Sequence, residues 1–135
     1  MNKDLYQYAT NKGITVEKAK IPKNKSFSVR MMKKDFVIID TSAMKNSADE
    51  RTHLAHELGH CSTGTFYDVE APLIIRKKYE HKATKWAVCK CVPKDKLIYL
   101  LKAGYQNWEL AEYFNVTEDF IKIACTYYFE YGIVI

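Results

Sequence analysis

Three of the chain's four histidines lie within nine residues, in the segment HLAHELGHC at positions 53–61. His56 and His60 are four residues apart, so on a helix they lie one turn apart on the same face. Both imidazoles can then reach one metal ion. Glu57 lies about 100° further round the helix and can contact a metal-bound water without being a ligand. The spacing predicts a zinc site with His56 and His60 as ligands and Glu57 as general base.

A catalytic zinc ion usually has three protein ligands, so a third is expected. Glu80 opens a run on a second predicted helix, where it shares one face with three small residues. Small residues on that face would let the second helix approach the first closely and place the Glu80 carboxylate against the histidine pair. Glu70, in the loop before that helix, is the weaker candidate. The small residues are Ala83, Thr84 and Ala87.

Further polar side chains near the motif are candidates for outer-shell partners or for a second electrophile. His53 lies one helical turn before His56, and a polar residue at the rim of the site is favoured over a fourth ligand. The sequence does not choose among the others. The candidates are His53, Tyr67, Tyr79, His81 and Arg76.

The residues around the motif predict the helix that carries it. Ser47 with Glu50 three positions later matches a capping box, which predicts a helix from about 48 to 63, ended by Gly64. Apolar side chains recur there at i, i+4 and i+7, the period of a buried helical stripe. These are Leu54, Leu58 and Cys61.

The remaining elements are predicted from periodicity and from turn residues. Lys33-Lys34 separates two β-prone runs in a hairpin-like arrangement, and Thr117 is the predicted N-cap of the last helix. The predicted elements are a helix over 3–12, a strand over 14–22, the β-prone runs 26–32 and 35–40, a helix over 74–92, and short helices over 95–103, 107–114 and 118–130.

A peptide substrate of a zinc protease would need an exposed strand beside the metal helix, with which it can pair. The run 35–40 immediately precedes that helix and is one candidate. Its continuous apolar segment favours a central strand instead. The run 26–32 is therefore the competing candidate for the substrate-binding edge.

Composition predicts one α+β domain over 1–135, with a helical C-terminal subdomain at 94–135. Lys and Arg outnumber Asp and Glu by 21 to 16, a mild surplus that a solvated surface explains. The N-terminus has no apolar signal segment and no run is long enough to span a membrane, so we expect a cytoplasmic protein without a membrane partner. The four cysteines are then expected to be reduced.

The motifs together resemble the ImmA/IrrE metallopeptidases, gluzincin-type zinc proteases common on phages and other mobile elements. The resemblance rests on HELGH at 56–60, on Glu80 with the alanines, Trp86 and Pro93 that follow it, and on ELAEYFNVTEDFI at 109–121. It implies a zincin-like fold and one zinc ion. It also implies a protein substrate that is a helix-turn-helix repressor. Carried over by position, the ligands would be His56, His60 and Glu80, with Glu57 as general base.

The segment LAEYFNVTEDFI at 110–121 is also typical of a DNA-binding helix-turn-helix, so a DNA-binding regulator is the alternative function. Its second helix would begin with Glu118 and Asp119, whose carboxylates would face phosphates, and direct nucleic-acid binding is therefore not expected. A metal-binding sensor without protease activity is a further alternative. Glu57 argues against it, because holding zinc does not require Glu57.

Overall fold

The computed structural model describes residues 2–131. The predicted domain and its C-terminal subdomain extend to residues 1 and 132–135, which lie outside the described residues, and this division stays a prediction. The elements are α1 Lys3–Asn11, β1 Thr15–Lys18, β2 Ser26–Met31, β3 Lys34–Ile39, a 3₁₀ turn Thr41–Ala43, α2 Ser47–Thr63, α3 Leu73–Cys91, α4 Lys94–Lys102, α5 Asn107–Phe114, α6 Glu118–Cys125 and a π-helical turn Thr126–Glu130.

The three strands form one mixed sheet in the order β1-β3-β2. β3 pairs in parallel with β1 and antiparallel with β2, and its side chains Val37 and Ile39 are fully buried. The predicted α+β class and the predicted hairpin are confirmed. Because β3 is paired on both sides, only β2 remains of the two candidates for a substrate-binding edge.

β1 is shorter than the strand predicted over 14–22. Beyond Lys18 the chain leaves the ladder after one more bond, from Ala19 N to Ile39 O at 3.1 Å. The Ile21 amide then donates to the Asp40 carboxylate at 3.1 Å. Pro22 follows and has no N–H to continue the ladder. A side-chain anchor therefore replaces sheet pairing over the second half of the predicted strand.

The predicted capping box of α2 is wrong, although the helix lies where it was expected. Asn46 is the N-cap, and its side chain accepts from the Asp49 amide at 2.9 Å. The Ser47 hydroxyl accepts instead from Asn115 at 2.9 Å, and the Glu50 carboxylate accepts from Tyr6 at 2.9 Å. Both predicted cap residues are thus engaged in contacts with distant parts of the chain.

α2 packs against α3 at very close range. Leu54 and Leu58 are fully buried on α2, and Gly64 ends this helix in the left-handed conformation with φ of 65°, as predicted. A Cβ on Gly59 would collide with the backbone carbonyl of Ala83 on α3. The small residues on the inner face of α3 therefore do permit the close approach that the sequence predicted.

The last predicted helix is divided in two. The Thr117 side chain accepts from the Phe120 amide at 3.1 Å, which confirms it as the N-cap of α6. The chain then widens into the π-helical turn, where the Tyr128 hydroxyl donates to the Val92 carbonyl at 2.6 Å. Within residues 2–131, no helix is both long and apolar enough to cross a membrane.

Candidate metal centre

The structure brings His56, His60 and Glu80 together into one three-residue cluster. Their potential ligand atoms all lie within 4.8 Å of one another. The Glu80 carboxylate faces both imidazoles, with Oε1 2.8 Å from His56 Nε2 and Oε2 2.8 Å from His60 Nε2. Glu70 is not part of this cluster; it lies in the loop, where its backbone amide donates to the Asp68 side chain. The geometry therefore favours Glu80 over Glu70, while the ligand roles stay predictions.

Each histidine also has a contact on its second ring nitrogen. His60 Nδ1 lies 2.7 Å from the Thr65 carbonyl oxygen, which can only accept, so Nδ1 carries the proton. This bond directs Nε2 of His60 toward Glu80 and is the outer-shell arrangement that metal-ligating histidines usually have. His56 Nδ1 lies 3.5 Å from the Thr84 hydroxyl, a longer contact. The donor set and its outer shell thus fit a zinc ion.

Glu57 lies on a different face of α2 and is held by the sheet. Its side chain is only 7% exposed, and Oε2 accepts a hydrogen bond from the Ser26 hydroxyl at 2.8 Å. Ser26 is the first residue of β2 and is itself buried. The bond fixes one carboxylate oxygen and leaves Oε1 for proton transfer.

A line of polar side chains continues from Ser26 toward the surface. His53 Nδ1 lies 3.4 Å from the Ser26 hydroxyl, and His53 Nε2 lies 3.5 Å from Asp49 Oδ1. Lys25 pairs with the other Asp49 oxygen at 3.0 Å. Burial lowers the pKa of His53 below its ordinary value, which favours the neutral imidazole. His53 therefore stands behind the Glu57 carboxylate and outside the three-residue cluster, which agrees with the rim position favoured from the sequence.

Of the candidates for a second electrophile, Tyr67 lies nearest the cluster. Its hydroxyl donates to Glu80 Oε2 at 2.7 Å. Tyr79 contacts the Tyr67 ring, with centroids 6.4 Å apart. His81 bonds to the Tyr127 hydroxyl at 3.1 Å, and Arg76 donates to the Ala71 carbonyl. Only Tyr67 among these four lines the cleft at the cluster.

The hydrogen bonds around Glu80 change the protonation equilibria of the cluster. Burial opposes ionisation of Glu80, but bonds from His56, His60 and Tyr67 outweigh it and hold the pKa of Glu80 well below its usual range. Burial likewise opposes protonation of His60, yet the bond to Glu80 prevails and raises the pKa of His60. Burial, together with the bond to Glu80, raises the pKa of Tyr67 to about 12, so its phenol keeps its proton near neutral pH.

A cleft of about 400 Å³ opens over the cluster. One wall is the start of β2, with Ser26 and Phe27, and the opposite wall is the loop after α2, with Phe66 and Val69. Glu57 lies at its floor. An extended polypeptide lying in this cleft would run between the free edge of β2 and that loop, beside both the base and the cluster.

Ser26 and Thr65 are the residues at this site that sequence reasoning missed. Ser26 lies thirty-one positions before Glu57, and only the sheet topology brings the two together. Thr65 follows the helix-ending glycine, a position from which the chain turns back over His60. No local spacing distinguishes either residue from the chain's other serines and threonines.

Comparison with known proteins gives one match. The model of a metallopeptidase family, described as the IrrE N-terminal-like domain, matches residues 9–126. The matched segment contains the histidine pair, Glu57, Glu80 and Ser26. No match was found among curated proteins or among solved structures.

Proposed function

This chain belongs to the IrrE N-terminal-like domain family of metallopeptidases, and from that premise we propose that it is a zinc-dependent endopeptidase acting on a specific protein. The observation that carries the proposal is the placement of Glu57. Its carboxylate is buried at the floor of the cleft, next to a His-His-Glu cluster to which it does not belong. A site that only stored or sensed metal would not need a second, separately held carboxylate at that place.

In the proposed site His56, His60 and Glu80 hold the zinc ion. Zinc bound there supplies Lewis-acid chemistry, which polarises a peptide carbonyl and makes a water molecule more acidic. Glu57 Oε1 accepts the proton of the attacking water and returns it to the leaving amine, since Oε2 is occupied by the Ser26 hydroxyl. Tyr67 is the favoured second donor toward the substrate, because it lines the cleft and its phenol stays protonated.

The substrate we propose is a helix-turn-helix repressor of a phage or mobile element, cut in the cytoplasm. This substrate class comes from the resemblance in sequence. The structure supports an extended polypeptide, since the unpaired edge of β2 borders the cleft and can accept a further strand. A repressor would have to present such an extended segment, so the cut is expected in a linker or a locally unfolded region.

The test is to incubate the purified, zinc-loaded protein with the repressor encoded beside its gene. We expect cleavage at one or a few sites. Glu57→Gln should fold, retain zinc and cut at least about 10² times more slowly, because removing a general base typically costs ~10²–10⁴ in rate. His60→Ala should lose zinc as well as activity. The glutamine side chain can still accept the Ser26 hydrogen bond, so Glu57→Gln isolates proton transfer.

Two results would contradict the proposal. Cleavage by Glu57→Gln at the rate of the wild type would remove Glu57 from the reaction. Sequence-specific, salt-sensitive retardation of operator DNA, with no cleavage of any candidate repressor, would favour the DNA-binding alternative instead.

A further inference from the structure

The turn that joins β2 to β3 is built from residues that its geometry disfavours. Met31 pairs with Lys34, so Met32 and Lys33 form a two-residue loop. Both have positive φ, 51° and 65°, which is the type I′ conformation. Hairpins of this type strongly prefer Asn-Gly, because a side chain beyond Cβ is strained at positive φ. Strained backbone of this kind concentrates at functional positions.

The strained turn also presents apolar side chains to solvent. Met32 is 94% exposed and Met31 is 54% exposed. A single exposed apolar residue is ordinary on a protein surface. Here two neighbouring methionines occupy the tip of a hairpin where a polar turn would be both more stable and more soluble, so burial within this chain does not explain their presence.

A positively charged concavity of about 290 Å³ lies beside the methionines. Lys12, Arg30, Lys33 and Lys34 line it together with one acidic residue, Asp35. Arg30 binds both oxygens of that carboxylate, at 2.6 and 3.0 Å. In the part of the chain that the structure describes, Lys33 and Lys34 form no ion pair. The concavity therefore has an excess of unneutralised positive charge and is complementary to carboxylates.

This surface is continuous with the candidate metal centre. β2 begins at Ser26, against Glu57, and leads to the hairpin tip. The Arg30 guanidinium lies 4.7 Å from the centre of the Phe66 ring, and Phe66 lines the cleft. Six residues separate Ser26 from Met32, which corresponds to about 20 Å of extended chain. A polypeptide paired with β2 would thus reach from the cleft to the tip.

We propose that the hairpin tip, defined as Met31–Lys34 with the concavity at Lys12, is an exosite for the protein substrate. It binds a segment in which acidic residues flank an apolar side chain: the carboxylates enter the concavity and the apolar side chain packs on the methionines. The inference rests on the proposed function. A strand antiparallel to β2 runs from the tip toward the cleft, so the bound segment lies about six residues N-terminal to the scissile bond.

The sharpest variant combines Met32→Asn with Lys33→Gly. It removes the apolar contact and one cation, yet it installs the residues that a type I′ turn prefers. We therefore expect this variant to fold and to gain about 3 to 8 °C in thermal midpoint. A loss of binding could then not be attributed to misfolding. Lys34→Glu reverses a charge in the concavity, and Lys102→Glu on α4 is the matched control.

Binding is measured without cleavage, on zinc-loaded Glu57→Gln protein, with a phage-displayed library of random twelve-residue peptides. We expect the recovered peptides to be enriched in Asp and Glu around an apolar residue. A synthetic peptide of the enriched sequence should bind at least about 10-fold more weakly to the Asn-Gly and Lys34→Glu variants, the scale of one lost charge-assisted contact. Lys102→Glu should bind it as tightly as the parent.

Recovered peptides without acidic enrichment, or equal binding by the Asn-Gly variant, would overturn the proposal. It would also be overturned if vesicles with 30% phosphatidylserine, a probe of about that composition, bound in a tip-dependent way while no peptide was enriched, since the tip would then be a membrane contact. Failure of the proposed function is distinguishable. In that case the wild type cuts no repressor, while tip-dependent binding of acidic peptides still establishes the docking surface.

Discussion

Replacing Gly59 by alanine is expected to damage the candidate metal centre through helix packing alone. An added Cβ would collide with the Ala83 carbonyl and lie 3.1 Å from the Ala83 Cα, where ordinary contacts begin near 3.4 Å. Both groups are backbone, so no side-chain rotation relieves the overlap. α2 and α3 must therefore move apart by several tenths of an ångström, and they carry the histidine pair and Glu80 respectively.

The magnitude follows from two opposing terms. Alanine is favoured over glycine inside a helix by about 1 kcal/mol. Overpacking against unyielding neighbours costs about 1–3 kcal/mol, and the backbone contact places Gly59→Ala at the upper end. The net loss is about 2 kcal/mol, or roughly 6 to 10 °C in thermal midpoint for a domain of this size. Because zinc–ligand distances tolerate only about 0.2 Å, we expect zinc affinity to fall by about 10- to 100-fold.

The assay combines thermal unfolding of metal-free protein with chelator competition for zinc. Gly104→Ala is the matched control: Gly104 has φ of 89°, so alanine is strained there, but an added Cβ meets nothing within 4 Å. It should lower the thermal midpoint while leaving zinc affinity unchanged. Wild-type zinc affinity in Gly59→Ala, or an equal loss of affinity in Gly104→Ala, would refute the argument that helix separation sets the ligand geometry.

Two further predictions concern single side chains at the site. Glu80→Ala should lower zinc affinity by more than about 100-fold, beyond the loss typical of an outer-shell partner, whereas Glu70→Ala should leave it unchanged; equal affinities in a chelator titration would remove Glu80 from the ligand set. Ser26→Ala should lower kcat about 10-fold with little change in KM or zinc affinity, the worth of one lost hydrogen bond to a carboxylate, and Ser26→Thr should restore it. Full activity in Ser26→Ala would show that Glu57 needs no support from β2.

The parts of the site that sequence could predict are those confined to one helix. His56, Glu57 and His60 lie within five residues, so helical geometry alone fixes their relative directions. The extent of α2 was predictable because an apolar period and a terminal glycine are local signals. Glu80 could be favoured because the small residues of α3 announce a close helix contact, although Gly59, the partner in that contact, is identified only by the packing itself.

What escaped prediction depends on contacts between distant segments. Asn46 and Ser47 are both good cap residues, and the choice fell to Asn46 because the Ser47 hydroxyl is engaged by Asn115. Likewise the change from α- to π-helix after Cys125 accompanies the bond from Tyr128 to Val92, two elements away. Local propensity cannot decide such cases, because tertiary partners determine which of two adequate local arrangements is adopted.

α2 lies between two supports that serve different halves of the proposed chemistry. Neighbouring helical residues point about 100° apart, so His56 turns toward α3 while Glu57 turns toward β2. The ligand set therefore depends on the distance between two helices, and the base depends on one hydroxyl of the sheet. It follows that changes on the α3 side should alter metal affinity first, whereas changes on the β2 side should alter the rate at constant metal content. A protein that used this site only to bind metal would have no need for the second support, and Ser26 would then be replaceable without any measurable effect beyond stability.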